Sequence, residues 1–344
     1  MKSKLHIAVV GAGAFGGWTA LHLLERGARV TLLDAWGPGN SRASSGGETR
    51  IMRGTYSPKQ PYTELAARAL KQWAKYERRW RRRFLHCTGV LWMANGSDDS
   101  FEMGSLEELR HAGIKFRERS AKELKKRWPQ VNFAGVHWGI FEPECGYLDA
   151  RESCLAVVEA FIDQGGNYRQ LAVSAESLER KNSRLSEVRL SDGSRLKADA
   201  YVFACGPWLG KLFPDVLGNV IRPTKQDIFF FGPPAGDSRF TEDQLPVWGD
   251  HGERFFYGIP GSDRRGFKVA DDTRGETFDP TSGERIVTPA TLKRVREYLE
   301  FRFPGMKGAP LIETRVCQYE QTPDSHFIVD RHPRMETVWL LGGG

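Results

Sequence analysis

Three glycines and one acid near the start of the chain have the spacing of a dinucleotide cradle. Gly11, Gly13 and Gly16 form G-x-G-x-x-G inside "HIAVVGAGAFGGWTALHLLERGARVTLLDAW", and Asp34 follows 23 residues after the first glycine. Residues 7–10 read as an apolar strand entering the turn, 16–26 as a helix, and 30–33 as a second strand ending at the acid. Each part has a physical reason. The glycines permit a tight turn and close backbone approach to a pyrophosphate, the helix N-terminus faces its charge, and Asp34 accepts from ribose hydroxyls. Such a motif holds the ADP half of a cofactor and does not by itself separate NAD from FAD.

The stretch after Asp34, "DAWGPGNSRASSGGETRIMRGTY", is small and polar and then basic. Ser45-x-x-Glu48 matches a capping box, which predicts a helical turn with Arg50 and Arg53 on one face. Two adjacent arginines suit a carboxylate clamp, or charge beside a reduced cofactor. The five cysteines, Cys87, Cys145, Cys154, Cys205 and Cys317, are odd in number and show no C-x-x-C or Cys/His ligand spacing. Neither a disulfide framework nor a metal site is expected. On residue type alone, Cys317 reads as a buried structural thiol, Lys268 as a snorkelling surface lysine, and Tyr257 and Tyr319 as core aromatics.

The elements that must position these residues follow from pattern. A chain of 344 residues with 40% hydrophobic and 27% charged residues has room for two lobes and a large core. Its net charge is +7, with a dense run at Arg78-Arg79-Trp80-Arg81-Arg82-Arg83. Leu65, Ala69, Trp73, Tyr76, Trp80 and Phe84 recur at helical spacing, so the run reads as the wet side of an amphipathic helix and not as a nucleic-acid patch. Ser120 and Glu123 form a capping box before a helix stopped at Pro129, and Asp149 opens another with Leu155, Val158, Phe161 and Ile162 as its buried face. Residues 168–205 alternate as strands around an Asp192-Gly193 turn, aromatic strands fill 221–270, and 288–303 reads as a helix. A Rossmann-type α/β domain built from separated segments, interrupted by a sheet-rich insertion, accounts for this order. No run approaches a membrane span, and the N-terminus enters a structured motif at once, so a cytoplasmic protein with no membrane partner is expected.

Taken together, residues 11–34, "GETRIMRGTY", "GIFEPECGYLDA", "VFACGPW", "GFKVAD" and "RVCQYEQTPDSHFIVDRHP" resemble the monomeric sarcosine oxidase family, within the D-amino-acid-oxidase-like flavoproteins. The resemblance spans nearly the whole chain, and "TRIMR" combined with "VCQYEQTPDSHFIVD" is its most specific part. It implies an FAD-binding domain (1–85, 145–215 and 325–344) and an inserted α+β substrate domain with a large mixed sheet (86–144 and 216–324). It also implies oxidation of a secondary or primary amine, of N-alkyl or cyclic amino-acid type, to an imine, with O2 reduced to H2O2 by a monomer. By this resemblance Cys317 carries the flavin as a thioether, Lys268 activates oxygen, Arg53 binds the substrate carboxylate, Arg50 lies near the flavin ring, and Tyr257 and Tyr319 line the substrate cavity. Ser44, Thr49, Val173 and Gly206 are further candidates on the cofactor side. Two departures stand out. Asp272 occupies the position, four residues after the lysine, where sarcosine-oxidising members have histidine, which puts sarcosine itself in doubt. The family's "GHGFK"-like loop and closing helix would follow Gly344, which leads to the expectation of a missing C-terminal segment and, with it, uncovered apolar surface. An FAD-dependent dehydrogenase with another electron acceptor, a flavin-binding protein without turnover and an NAD-dependent dehydrogenase are the competing readings.

Overall fold

The computed structural model describes residues 4–58, 61–178, 183–261 and 265–344. The 168–205 reading therefore lies partly outside the described residues. The first segment runs β1 (His6–Val10), α1 (Ala14–Glu25), β2 (Arg29–Leu33), a single 3-10 turn (Ser44–Gly46), β3 (Thr49–Met52) and α2 (Tyr62–Trp80). Next come β4 (Leu85–His86), β5 (Val90–Asn95), α3 (Ser100–Ala112), β6 (Arg117–Ser120), α4 (Ala121–Arg127) and β7 (Val136–Glu142). The chain continues through β8 (Gly146–Asp149), α5 (Ala150–Asp163), β9 (Asn167–Arg169), β10 (Glu187–Arg189), β11 (Arg195–Lys197) and β12 (Ala200–Phe203). Two short helices, α6 (Leu209–Leu212) and α7 (Pro214–Leu217), lead to β13 (Arg222–Phe231), β14 (Val247–His251), β15 (Phe255–Ile259) and β16 (Phe267–Asp271). The last elements are α8 (Pro289–Arg302), β17 (Leu311–Gln321), β18 (Ile328–Arg331) and β19 (Val338–Gly342).

Six strands form a Rossmann-type sheet in the order β18-β19-β12-β1-β2-β9. β1 pairs in parallel with both β2 and β12, and only β18 runs antiparallel. Both faces are covered over the central strands β12, β1 and β2, as a parallel sheet requires. Val9, Leu32 and Val202 pack beneath α1 and α5 through Ala20, Leu21, Val157 and Phe161. Tyr201, Phe203 and Val338 pack on the other side against Leu209, Phe213 and Val188. The outer strands turn Val329 and Trp339 to solvent.

Eight strands form the mixed sheet expected for the insertion, in the order β17-β13-β16-β15-β14-β5-β7-β6. Period-two alternation splits its aromatic strands into two faces. Phe229, Phe231, Phe267 and Val269 face α8, whose Val295 and Leu299 are fully buried. Ile228, Phe230, Tyr257 and Ala270 face the other way, toward the six-stranded sheet's end of the molecule, and carry the site. A small sheet, β3-β8-β4, stands beside them.

The α2 stripe holds through Trp73, Tyr76 and Phe84, with Leu65 exposed instead of buried. Its arginines lie on the wet side, where Arg79 pairs with Glu25 and Arg82 with Glu159. The capping box at Ser120 and Glu123 is formed. On α5 the buried face is Cys154, Val157, Val158 and Phe161; Ile162 is exposed because it points away from α1. Among the described residues no helix is long and apolar enough to cross a membrane.

Candidate active site

A cavity of about 640 Å³ lies at the C-terminal ends of β1 and β12. The strand order reverses between these two, which is where open α/β sheets take their ligands. Gly11, Gly13, Asp34 and Trp36 line one part, Ser44, Arg50, Val173 and Gly206 another, and Tyr319 and Glu320 a third. The glycine turn is sterically forced. Gly11 has φ +104°, and a Cβ there would sit 2.2 Å from the Ala204 carbonyl oxygen. A Cβ on Gly16 would sit 1.7 Å from the Gly11 carbonyl oxygen. α1 starts at Ala14, two residues earlier than its pattern predicts, and its N-cap residue, Gly13, has no side chain to cap it. Asp34 accepts N–H bonds from Ala12 (2.7 Å), Trp36 (2.9 Å) and Gly37 (2.8 Å), so its carboxylate folds the cradle as well as bordering the cavity. Burial raises its pKa in spite of these donors. A helix N-terminus bordering the cavity, a backbone with no room for Cβ atoms and an acid at the end of the second strand fit the ADP half of a dinucleotide.

The other sequence-selected residues gather next to this cavity, and strand alternation explains how. Lys268 and Ala270 point to one face of β16, and Asp272 follows just beyond its end. Tyr257 lies across from Ala270 on β15. Cys317 and Tyr319 are two residues apart on β17 and so share a face. Arg50 and Tyr319 belong both to this group and to the cavity wall. Tyr319 donates to Asp272 Oδ1 at 2.9 Å. Arg50 donates to the Ser44 carbonyl at 2.6 Å, and Cys317 Sγ lies 3.8 Å from the same oxygen. Burial opposes the charge on Arg50, yet Cys317, Tyr319, Tyr257 and Asp272 around it raise its pKa. Lys268 is 2% exposed, and its Nζ donates to Thr49 Oγ1 at 3.1 Å. Burial, with Arg50 adding like charge, pulls Lys268 down to about 7. Burial pushes the Asp272 carboxyl up, against the pull of Tyr319, Arg53 and Arg50. Arg53 lays its guanidinium over Tyr56 (4.2 Å) and Trp92 (4.9 Å) and has no carboxylate partner among the described residues.

One local expectation is overturned. Ser45 and Glu48 form no capping box, and Arg50 and Arg53 do not share a helical face. The segment is β3, hydrogen-bonded to β8, because a strand partner was available and one turn of helix had nothing to pack on. Ser45 Oγ instead accepts from the Ala14 N–H at 3.2 Å. Glu48 is gripped by Arg265 (3.3 Å), Arg151 (3.4 Å) and Arg315. Thr49 turns its side chain to Lys268, not into the cavity.

Two acids of the site escape sequence reading. Glu142, fully buried at the end of β7, accepts from Gly54 N–H (2.6 Å), Thr55 Oγ1 (2.7 Å) and Trp92 Nε1 (2.7 Å). It fixes the backbone just after Arg53 and the ring beneath it. A lone acid closing the strand "VHWGIFE" was its only signal. Glu320 is 4% exposed on the cavity wall, and burial pushes its pKa to about 7. Its neighbour in sequence, Tyr319, faces the opposite side of β17, which hides the pair from any one-residue pattern.

The profile of the family described as FAD dependent oxidoreductase (DAO) matches residues 6–344. The chain is 28% identical to monomeric sarcosine oxidase from Bacillus sp. (strain B-0618), covering 100% of this chain and 88% of that protein. Peroxisomal sarcosine oxidase of Mus musculus is 26% identical over 98% of this chain and 86% of its own length. Among solved structures, L-proline dehydrogenase from P. horikoshii superposes with a TM-score of 0.83 at 20% identity, covering 100% of this chain and 88% of that one. At that identity the likeness is one of fold. With the nucleotide cradle, the doubly wound sheet and a match running from the first strand to the last residue, the chain belongs to the FAD dependent oxidoreductase family.

Proposed function

We propose that the protein oxidises a small amine or amino acid at a carbon next to nitrogen, giving an imine, and passes the electrons to O2 to form H2O2. The observation that carries this reading is the grouping of Arg50, Lys268, Tyr257, Asp272, Cys317 and Tyr319 beside the dinucleotide cavity, with Arg53 next to Asp272. The sarcosine oxidase relatives support the substrate class. When bound, FAD supplies two-electron oxidation of the substrate C–N bond.

The chain's own residues divide the remaining work. Arg53, stacked on aromatic rings and without a carboxylate partner among the described residues, binds the substrate carboxylate as a bidentate partner. Asp272 and Tyr319, linked by a hydrogen bond, present an acceptor to the substrate nitrogen, so a substrate bearing a second cationic or hydrogen-bond-donating group is favoured over sarcosine. Tyr257 closes the apolar wall. Lys268 provides a fixed donor where negative charge develops on oxygen. Cys317, on the same face of β17 as Tyr319, is the residue that would hold the flavin covalently, as a thioether.

The enzyme supplied with FAD should turn yellow and release peroxide with some member of a panel of N-alkyl, cyclic and dibasic amino acids. A protein that takes up no flavin defeats the reading. One that reduces dyes but never O2 is a dehydrogenase instead. Acid precipitation should leave the colour in the pellet; colour lost to the supernatant, or kept in the pellet by Cys317→Ala, refutes the thioether.

A further inference from the structure

The wall of the nucleotide cavity carries a carboxyl that the chemistry above does not use. Glu320 is 4% exposed and lines the cavity, and its Oε2 has no hydrogen-bond partner among the described residues. It faces away from Tyr319 because successive residues of β17 point to opposite sides. Two glycines make room for it. A Cβ on Gly342 would sit 2.8 Å from Glu320 Oε2, and one on Gly206 would sit 3.9 Å from Oε1. The carboxyl therefore lies between the ends of β19 and β12, beside the glycine turn that faces the cofactor's pyrophosphate. A Cβ on Gly11 would be 3.4 Å from the Cys205 nitrogen, and Cys205 Sγ is 3.5 Å from the Val10 carbonyl oxygen. On the β19 side, Gly344 abuts Phe15 in the first turn of α1.

This part of the wall leans negative. Asp34 and Glu320 both line the cavity, and their charges together help to push up the Cys205 thiol. Among the described lining residues Arg50 is the one cation, and it is bonded to the Ser44 carbonyl. On Glu320's own face of β17, Arg285 is bonded to Gln318 Oε1, two residues away. Asp34 has three N–H donors to hold its charge. Glu320 has less help. The N–H groups of Gly343 and Gly344 work against its burial, no cation does, and its pKa stands at about 7. A pyrophosphate brings further negative charge into the same space and fills it. Both effects disfavour the charged form of a neighbouring carboxyl.

We propose that Glu320 takes up one proton from solvent when FAD enters the cavity, and that the neutral acid is the form that holds the cofactor. The proton adds to a carboxylate oxygen, and no bond of FAD is made or broken. The inference concerns cofactor loading; it rests on FAD as the cofactor and not on which substrate is oxidised. Whatever the cofactor does to the proton affinity of Glu320, the proton does to the affinity for the cofactor. FAD binding is therefore strongest below about 7, where the empty form is already neutral. Above that pH it weakens, by up to about tenfold for each pH unit, until the loaded form ionises as well. A carboxyl present only for packing would have a donor for each buried oxygen, and Oε2 has none among the described residues. Lys268 is also drawn to about 7 and faces Arg50, Cys317 and Asp272. Loss of its charge would weaken binding of an anion over the same range, so the test separates the two residues.

The test is FAD binding to the apoprotein between about pH 6 and about pH 9, in a Cys317→Ala parent whose binding stays reversible. Quenching of flavin fluorescence gives Kd. Titration calorimetry in two buffers of different ionisation enthalpy gives the protons absorbed. The parent should bind FAD about tenfold or more weakly at the upper pH than at the lower, and absorb about half a proton or more near pH 8. Glu320→Gln is neutral and nearly the same shape. It should hold Kd within about twofold across the range, absorb no proton, and bind FAD more tightly than the parent at the upper pH. Lys268→Met should keep both the slope and the uptake. A slope that survives Glu320→Gln, or one that vanishes in Lys268→Met, overturns the inference. FAD bound equally well at every pH removes this inference alone. An apoprotein that takes up no FAD at any pH removes the cofactor and this inference with it. No turnover is measured, so a failure to form peroxide would remove the oxidase reading and leave this result standing.

Discussion

Lys268 occupies a place that the folded state would not choose for a lysine. Its pKa in the fold is about 7 against an ordinary value of 10.5, with burial the main cause. Between these two pH values the unfolded chain binds a proton that the native chain does not, so stability rises with pH across that window. Below about 7 the full cost stands, at about 1.4 kcal/mol for each unit of difference. Lys268→Met removes the cost with little change in volume. The variant should therefore be more stable than wild type by a few kcal/mol near pH 7, and the gain should shrink as pH approaches 10.5, measured by urea denaturation of the apoprotein. A variant that is less stable, or a gain that ignores pH, contradicts the burial. Such a trade of stability for a poised charge is common where chemistry is done. Glu142 makes the opposite case, since every neighbour is a donor. Glu142→Gln sets an amide NH2 against N–H groups and should lose about 3 kcal/mol. The displaced Gly54 backbone carries Arg53 with it, so KM for the amino-acid substrate should rise more than kcat falls. Unchanged KM would separate Glu142 from substrate binding.

At the scale of elements, local chemistry set some ends of the helices and strands, and long-range pairing set others. Thr288 caps α8 by accepting from the Thr291 N–H at 3.1 Å, with Pro289 in the first turn. Thr288→Ala should cost about 1 kcal/mol in chemical denaturation while flavin binding stays as it was, because α8 packs on the face of the large sheet opposite the site. Loss of flavin instead would mean that the two faces are coupled. The Ser120–Glu123 box and the Asp192-Gly193 turn were legible because each is settled by residues within a few positions of one another, whereas of α8 only the span was read and not its cap. Ser45-x-x-Glu48 offered the same local pattern and became part of a strand approach, since its hydrogen-bond partner lies about a hundred residues away in β8. The same limit separates the site residues. Lys268, Cys317 and Tyr319 share a face by period two and could be grouped from sequence, given the family resemblance. Thr49, Asp149 and His86 are brought to one small sheet, and Glu142 to Gly54 and Trp92, by pairing between distant strands, and no spacing in the sequence encodes it.

At the scale of the whole molecule, we propose that the six-stranded and eight-stranded sheets are the cores of two domains for which the cofactor is a shared wall. Their buried clusters are separate: Tyr201, Phe203 and Val338 belong to one, and Phe229, Trp248 and Phe267 to the other. The cavity joins them, because Gly11, Asp34 and Gly206 come from the first sheet's strand ends and Tyr319 and Glu320 from β17 of the second. A ligand that binds only when both walls are folded stabilises the pair together, by RT ln(1 + [L]/Kd), about 2.7 kcal/mol at a hundredfold excess over Kd. The apoprotein should then unfold in two calorimetric transitions, and loading with FAD should raise the lower one until the two merge. Gly16→Ala sharpens the test. Its Cβ would overlap the Gly11 carbonyl oxygen, so the cradle cannot close on the cofactor. In that variant the six-stranded sheet's transition should fall, the eight-stranded sheet's transition should stay near its apoprotein position, and FAD should no longer merge them. If the apoprotein melts in one transition that FAD merely shifts, the sheets are coupled through their direct contacts, and the cofactor is a passenger in the fold.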